Sequence, residues 1–329
     1  MGGIVRFLKD WMLPVAIITG ILLYLAMRFI GPLAVSVEPG FSRFAGKIQP
    51  VLVAVMLFLQ FNKVSPHDLK LKKWHIWLLA FQGVMFVALA LAATAVPHGE
   101  VRILLECAML CFVCPTAAAA GVITDKLGGS LSDTVTYVVL INVLAAFIIP
   151  LVIPMVHPAE GASFWGRFAA ICMRVFPLLV LPLLLAWFVR FVMPGLHRWL
   201  LRFVGWAFYV WGFTLGLSIY LATKALLNSG ISVGAVGLIC LVSLACTAIQ
   251  FFIGRRAGMK AGRGGSGADE HACSITAGQA LGQKNTGFLI WLGYSWMTPV
   301  SSVAGGLYAI WQNLFNSAEL YEQRHRRTI

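Results

Sequence analysis

Charge is what this sequence has little of. Only 11% of its 329 residues are charged and 60% are hydrophobic, whereas soluble domains are about 25% charged and about 45–50% apolar. A water-soluble fold of this length could not bury so much apolar surface. Long polar stretches are also missing, and the apolar runs between short polar segments are long enough to cross a bilayer at about 20 residues each. The sequence therefore predicts an all-α membrane protein with the lipid bilayer as a partner.

Catalytic and cofactor motifs are also absent. No paired acids, metal-ligand set or nucleophile–base pair lies within an apolar run, and the Gly262–Gly267 segment lacks the Gly-Lys-Ser/Thr ending of a phosphate loop, so it reads as a flexible link. Cys107, Cys111 and Cys114 share one helical face, but buried thiols in apolar runs are more often packing residues than metal ligands. We therefore predict no enzymatic activity, no cofactor and no metal centre.

Ten apolar runs are the predicted spans. They cover Trp11–Ile30, Ile48–Phe61, Ile76–Val96, Ile103–Ile123, Thr134–Val156, Phe168–Val192, Leu200–Leu221, Ile231–Ile253, Ala272–Leu292 and Met297–Phe315. No small-residue cleavage site follows the first run, so we expect it to be retained as a span rather than removed as a signal peptide.

The basic residues follow this ten-span order. Most of the 25 lysines and arginines fall in alternate loops, together with the segments before the first span and after the last. Because short loops rich in Lys and Arg stay in the cytoplasm, we predict a multi-pass protein of the cell inner membrane with both termini cytoplasmic. The same distribution explains the net charge of +13 without a nucleic-acid partner.

The two halves of the ten-span order have features in common. The sequence Arg-Phe-Ile-Gly-Pro that begins at Arg28 is matched by Arg-Phe-Val-Met-Pro from Arg190, at the ends of spans one and six. A repeat unit with an odd number of spans inverts its orientation in the membrane. We therefore predict a single integral membrane domain of two inverted five-helix repeats, 1–158 and 159–329.

Spans four and nine, which correspond in these repeats, are both interrupted. Pro115, followed by Thr116 and a run of small residues, forces a kink or break in span four. In span nine the apolar pattern is replaced by Gln279, Gly282, Gln283, Lys284, Asn285 and Thr286. Ionisable groups at bilayer depth usually line a cavity or pathway. The simpler alternatives are a proline-kinked helix and a misplaced boundary, with Lys284 reaching out from a loop.

Two broken helices in matching halves predict a substrate site near the bilayer midplane. The N-termini of the half-helices present free N–H groups and the positive ends of helix dipoles. Such a site favours an anion.

At these segments the chain resembles the bile acid:sodium symporter family. Span nine keeps Gly282, Asn285, a hydroxyl at Thr286 and Gly287 from the family pattern Glu-x-Gly-x-Gln-Asn-Ser-Gly. The sequence Trp-Gln-Asn-Leu from Trp311 is similar to the family's Trp-x-Asn-Leu. The resemblance implies a panel domain of spans one, two, six and seven and a core domain of the other six, with substrate bound between them and alternating access by rocking.

Two further segments carry the resemblance. Met56–Phe61, followed by Ser65 and Pro66, is similar to the family's Met-Gly-Leu-x-Leu and Ser-Pro sequences, and Gln82 falls where the family has a sodium-ligand Gln. The family's other sodium ligands are replaced in the simplest alignment: its span-four Ser and Asn fall on Ala120 and Gly121, its shared Glu on Ala280 and its span-nine Gln on Lys284.

Sodium coupling is therefore not expected, because sodium prefers oxygen ligands. Methyl groups supply none, and an ammonium adds a competing positive charge. We predict a secondary transporter of a small organic anion in which Lys284 stands where sodium binds in the family. A desolvated lysine releases its proton more readily than an exposed one, so transport is either proton-coupled or uncoupled.

Two alternatives stay open. One is a sodium-coupled symporter whose sites are rebuilt from other oxygens, and the other is a sensor or channel on a transporter scaffold, which would not concentrate its ligand. The acids nearest to Lys284 in sequence or in the matching span are Asp125, Asp133 and the Asp269–His271 cluster. Their positions favour cytoplasmic loops over pairing with the lysine.

Overall fold

The computed structural model is helical throughout the residues that it describes, which are 2–117, 119–158, 161, 163–263 and 267–326. Its α-helices, in chain order, are α1 (Gly2–Phe29), α2 (Pro32–Phe61), α3 (Lys73–Ala95), α4 (Glu100–Val113), α5 (Ala120–Lys126), α6 (Leu131–Val156), α7 (Phe164–Leu179), α8 (Leu181–Val192), α9 (Pro194–Leu200), α10 (Ala207–Leu227), α11 (Val233–Gly262), α12 (Gly267–Gly282), α13 (Thr286–Trp296) and α14 (Val303–Arg326). Short 3₁₀ segments lie at Pro66–Asp68, Leu201–Trp206 and Pro299–Ser302. The predicted all-α class is confirmed for these residues.

Six of the described helices are long and apolar enough to cross a bilayer, and α7 with α8, bent by 40° at their junction, makes a seventh crossing if the pair is one span. The protein is therefore a multi-pass helical membrane protein. The ten predicted spans are therefore found only in part. Predicted spans four and nine are each divided into two short helices, and α14 carries a polar C-terminal half.

Helix α2 differs most from its predicted span. It begins at Pro32, well before the predicted start at Ile48, and it continues through Pro39 and Pro50. These prolines and the charged residues between them resemble a loop in sequence. Proline is more frequent in membrane helices than in soluble ones. The early part of α2 is attached to α10 by an ion pair between Glu38 and Lys224 at 2.9 Å.

Several other helix ends extend past the apolar runs from which they were predicted. Helix α11 continues to Gly262 and α14 to Arg326, so Arg255 and Glu319 lie on helices, where their side chains form an ion pair. Hydropathy marks only the apolar part of a helix, and these two polar ends are paired with each other through Arg255 and Glu319. Residues 264–266 of the predicted flexible link, and 159 and 160 at the predicted repeat boundary, lie outside the described residues.

Two polar contacts show which helices begin at the same end of the molecule. At one end, Lys72 pairs with Asp133 at 2.5 Å, so α3 and α6 begin side by side. At the other end, the backbone N–H of Ser232 donates to Glu100 Oε1 at 3.0 Å, so α4 and α11 begin side by side. Helices α3 and α4, which are consecutive, therefore run in opposite directions.

Two cysteines of α4 and the one that directly follows it are fully buried. Cys107, Cys111 and Cys114 lie in the largest apolar cluster, which α4 shares with α3, α6, α7, α13 and α14. Helix α4 therefore passes through the interior of the protein rather than along its lipid-facing surface.

Glycines bring α11 and α12 into backbone contact. A Cβ added at Gly254 would lie 2.4 Å from the carbonyl oxygen of Ala277, and one added at Gly258 would lie 2.1 Å from that of Cys273. Small residues four apart permit such close approach between membrane helices. This contact holds α12 in place up to Gly282, where the helix ends.

The close approach makes Gly258 intolerant of a side chain. We expect Gly258→Ala to separate α11 from α12 and to destabilise the protein by about 1–3 kcal/mol, as overpacking typically does. Thermal unfolding in detergent measures the effect. The control is Gly237→Ala in the same helix, because a Cβ at Gly237 meets nothing within 4 Å. Equal unfolding midpoints for the two variants would contradict the contact.

Candidate functional site: a crossing of two broken helices

Two interrupted helices meet in the interior of the protein. Helix α4 ends at Val113 and α5 begins at Ala120, while α12 ends at Gly282 and α13 begins at Thr286. The two breaks therefore occur where the sequence predicts them. Pro115 accounts for the first, because it restricts Cys114 to a non-helical conformation, seen at φ −56° and ψ 128°.

The two breaks are joined by backbone hydrogen bonds. Thr116 and Lys284 face each other as in an antiparallel β-bridge. On either side of this pair, the N–H of Asn285 donates to the carbonyl of Pro115 at 2.9 Å, and the N–H of Ala117 donates to that of Gln283 at 3.2 Å. Each break thus satisfies backbone groups of the other, which buried non-helical backbone requires at membrane depth.

Gln82 of α3 closes the end of α4. Its amide nitrogen donates to the carbonyls of Phe112, at 2.6 Å, and Cys114, at 3.3 Å, which the break leaves without helical partners. Its oxygen accepts the hydroxyl of Tyr137 at 2.6 Å. Gln82 therefore lies at the crossing, as predicted, and in this structure it caps a helix.

Side chains of α14 clamp the second break. Gln312 accepts the backbone N–H of Lys284 at 2.8 Å and donates to the carbonyl of the same residue at 3.3 Å. One turn earlier, the hydroxyl of Tyr308 donates to the carbonyl of Gly282 at 2.8 Å and accepts from Gln250 of α11 at 3.2 Å. The geometry of the break is therefore set by three buried side chains outside it.

Gln279 and Gln283 belong to a separate hydrogen-bond chain. Gln283 donates to Gln279 at 2.7 Å, and Gln279 donates to Asn316 at 3.2 Å and to Glu319 of α14 at 2.7 Å. Both side chains are buried, so these bonds satisfy groups that would otherwise be unpaired. The two glutamines connect α12 to α14 and are supports of the crossing rather than part of its interior.

The side chain of Lys284 is fully enclosed by protein. It is 1% exposed, and among the described residues its Nζ has no hydrogen-bond partner. The ionisable side chains around it include the thiols of Cys114, Cys111 and Cys246, which carry no charge while they are protonated. Lys284 therefore does not reach out from a loop to the surface, and it has no carboxylate to offset its charge within the described structure.

Helix ends supply the electrostatic partner that Lys284 lacks. Lys284 lies two residues after the end of α12, and it pairs with Thr116, which lies three residues after the end of α4. A helix C-terminus is equivalent to roughly −0.5 elementary charge. Two such ends lie close to the backbone of Lys284, so this side of the crossing favours a positive charge.

The N-terminus of α13 provides the opposite polarity. Asn285 caps this helix by accepting the N–H of Phe288 at 3.3 Å, and its own Nδ2 has no partner among the described residues. A Cβ added at Gly287, two residues on, would lie 3.5 Å from Thr214 of α10 and 3.7 Å from Val53 of α2. The first turn of α13 therefore faces the α2–α10 pair at Gly287, next to an unpaired donor at the positive end of the helix.

Gln49 links that pair to the crossing. Its amide nitrogen donates to the carbonyl of Gly287 at 3.2 Å and to the hydroxyl of Ser218 in α10 at 2.5 Å, and its oxygen is unpaired within the described structure. Helices α2 and α10 thus contact the start of α13 through a polar side chain. Hydrogen bonds of this kind can be replaced by hydrogen bonds to another polar group.

The structure therefore brings together Pro115, Thr116, Lys284, Asn285 and Thr286 at the crossing, with Gly282 at its edge, and it places Gln82 beside them. The suggested acidic neighbours are elsewhere. Asp133 pairs with Lys72 and is buried at the first turn of α6 rather than in a loop, and Asp125 is exposed near the end of α5.

Sequence reasoning missed Gln49, Ser218, Gln250 and Tyr308. Each is a single polar residue within an apolar run, where a buried polar group needs a partner. That partner comes from a distant helix in every case, so the run itself does not identify it.

No protein-family model matches this chain, and no curated protein is significantly similar to it in sequence.

An enclosed amine with no bonded partner is destabilising, because burial removes its hydration. We therefore expect Lys284→Met, which has a similar shape, to raise the thermal unfolding midpoint. The backbone bonds of Lys284 to Gln312 do not involve the side chain and remain.

Lys260→Met, at an exposed lysine of α11, is the matched control and should leave the midpoint unchanged. A Lys284→Met protein less stable than the wild type would show that the amine has a stabilising partner in the folded state.

Proposed function

We propose that this protein is a secondary transporter of a small organic anion, in which Lys284 is a fixed internal cation. The observation that carries the proposal is the crossing of two broken helices around an enclosed, unpaired lysine. Discontinuous helices that meet inside a membrane protein are typical of substrate and ion sites in secondary transporters. The resemblance to bile acid:sodium symporters at Gly282, Asn285, Thr286 and Gly287 supports the same class.

We further propose ten spans arranged as two inverted repeats. In this arrangement α4 with α5 and α12 with α13 each form one interrupted span, α7 with α8 forms the sixth, and α14 the tenth. The alternation of contacts between the two ends of the molecule supports it, as do corresponding breaks in the fourth and ninth spans. Both termini would then lie in the cytoplasm, in accord with the loop charges.

The polarity of the crossing supports an anionic substrate. The two helix C-termini and Lys284 form one side, and the α13 N-terminus with the unpaired Nδ2 of Asn285 forms the other. An anion at the second side would be stabilised by the α13 dipole and by Lys284. Because the crossing is enclosed, access to it requires α2 and α10 to move away from α13, with loss of the Gln49 contacts.

The sodium ligands implied by the family resemblance are not formed by side chains here. Ala120 and Ala280 are fully buried methyl groups at the crossing, and the carbonyl of Ala280 is engaged by the hydroxyl of Thr116 at 2.5 Å. The positive charge that sodium would bring is supplied by an ammonium. Transport is then driven by protons that exchange at Lys284 or by the substrate gradient alone.

Ten spans make a direct topological prediction. In a cysteine-free background, Lys70→Cys and Lys260→Cys should be labelled by a membrane-impermeant maleimide only from the cytoplasmic side, and Gly99→Cys and Leu227→Cys only from the opposite side. All four positions are exposed in the structure. Labelling of positions 70 and 99 from the same side would exclude the ten-span arrangement.

Transport should depend on Lys284 and not on sodium. A thermal-shift screen with acetate, lactate, pyruvate and benzoate identifies a binding carboxylate, because ligands of the native state raise its stability. Uptake of that carboxylate into proteoliposomes should be unchanged when sodium is replaced by potassium.

Lys284→Ala should abolish uptake, and Lys284→Arg should do so too if proton exchange drives transport, because arginine stays charged.

Lys260→Ala is the control for uptake, since that lysine is exposed and remote from the crossing. Normal pH-dependent uptake by Lys284→Ala would reject the role of this lysine. Steep sodium dependence in the wild type would favour a symporter with rebuilt sodium sites. The double change Ala280→Glu with Lys284→Gln restores two family residues and tests whether sodium dependence can be introduced.

A further inference from the structure

An apolar groove runs along the outer face of α3 and α6. It has a volume of about 580 Å³ and is lined by residues such as Ile76, Val84 and Leu91 of α3 and Leu144 and Ile148 of α6. This volume lies in the range of about 300–1,000 Å³ found for small-molecule sites. Both helices are membrane spans by length and composition, so the groove opens to the hydrocarbon of the bilayer.

The groove is as long as a lipid chain requires. From Ile76 to Leu91 the helix rises about 22 Å, at about 1.5 Å per residue, against about 30 Å for the whole hydrocarbon core. Val84 is 65% exposed and Leu91 52% exposed. A chain lying in the groove would cover apolar side chains from one membrane interface to beyond the midplane.

One end of the groove is cationic. Lys73 is the first residue of α3, one turn before Ile76 on the same face, and Lys70 precedes the helix. Both are exposed, and neither forms an ion pair within the described residues. The neighbouring acid, Asp133, is already paired with Lys72. Trp77, 74% exposed, lies one turn from Lys73, as expected for an aromatic side chain at a membrane interface.

We propose that this surface is a binding site for one anionic phospholipid, with its phosphate at Lys70 and Lys73 and one acyl chain in the α3–α6 groove. Charge complementarity selects the headgroup, because juxtamembrane lysines attract anionic lipids. The groove selects the chain, because its lining is apolar over its whole length.

The lipid site adjoins the crossing of the broken helices. Gly83, Leu144 and Ile148 line both the groove and a narrow interior gap that ends at Gln82 and Val113. Gly83 lies about 15 Å along α3 from Lys73, the depth of the bilayer midplane. A chain bound in the groove therefore passes one residue from Gln82, which caps α4, and a bound lipid restrains the element that positions the crossing.

Native mass spectrometry of the purified full-length protein tests the site directly. Detergent solutions containing phosphatidylglycerol or phosphatidylcholine of identical chains are compared, with inorganic phosphate as a third arm. We expect one phosphatidylglycerol to remain bound where phosphatidylcholine and phosphate do not. Lys73→Gln should lower the bound fraction about fivefold, the factor expected for one cation near an anionic headgroup, and Lys260→Gln is its control.

Filling the groove tests the chain position. Gly83→Leu places a side chain toward Ile148, whose Cδ1 lies 3.5 Å from the position of an added Cβ, and should abolish lipid retention. Gly237→Leu, on the lipid-facing surface of α11, should not. Ala88→Leu, farther along the groove, provides a second variant if Gly83→Leu unfolds, and thermal unfolding of each variant establishes that the fold is kept.

Three results would overturn the proposal: equal retention of both phospholipids, retention unaffected by Gly83→Leu and Ala88→Leu, or a dimer whose contact surface includes Val84. The last would show that a second copy of the chain covers the groove. The experiment is independent of transport, so it can fail while the proposed function stands.

Discussion

The structure depends on the backbone pairing between Thr116 and Lys284. A break inside a membrane helix exposes N–H and C=O groups to a medium that cannot hydrate them, and each unsatisfied group costs several kcal/mol. Two breaks placed side by side remove most of that cost for each other through the bonds of Pro115 with Asn285 and of Ala117 with Gln283. Each break depends on the other for these bonds, so the two interrupted helices and the helices that support them form one structural unit.

That mutual dependence explains what could be predicted from the sequence. Pro115, and the polar run from Gln283 to Thr286, are local signals, and both breaks lie where these signals are. The partners of the breaks are not local. Gln82 could be placed at the site only through the family resemblance, and Tyr308 was missed. The hydrogen bonds that give Gln82, Tyr308 and Gln312 their roles follow from the way α3 and α14 pack against the crossing. The sequence did not predict the extension of α2 through Pro39 and Pro50 for a similar reason, because the contacts that stabilise this part of α2 are with α10.

The crossing also separates charge within a few residues. Helices α4 and α12 end beside Lys284, and α13 begins just after it, so a cation-favouring and an anion-favouring side lie back to back. This separation comes from backbone dipoles and needs no acidic side chain. It offsets part of the free-energy cost of burying the amine of Lys284, which has no hydrogen-bond partner among the described residues.

A lysine that belongs to the chain and a sodium ion that binds from solution have different consequences for transport. A sodium ion that binds and leaves can carry the free energy of its gradient into the cycle, whereas a lysine stays in the protein and can deliver only the proton that it gains or loses. If protons exchange at Lys284, as one of the two proposed modes of transport requires, the neutral lysine leaves the helix C-termini without a positive charge, and an anion bound at Asn285 favours the protonated form. Substrate and proton would then bind together by mutual stabilisation, which is the coupling that a symporter requires.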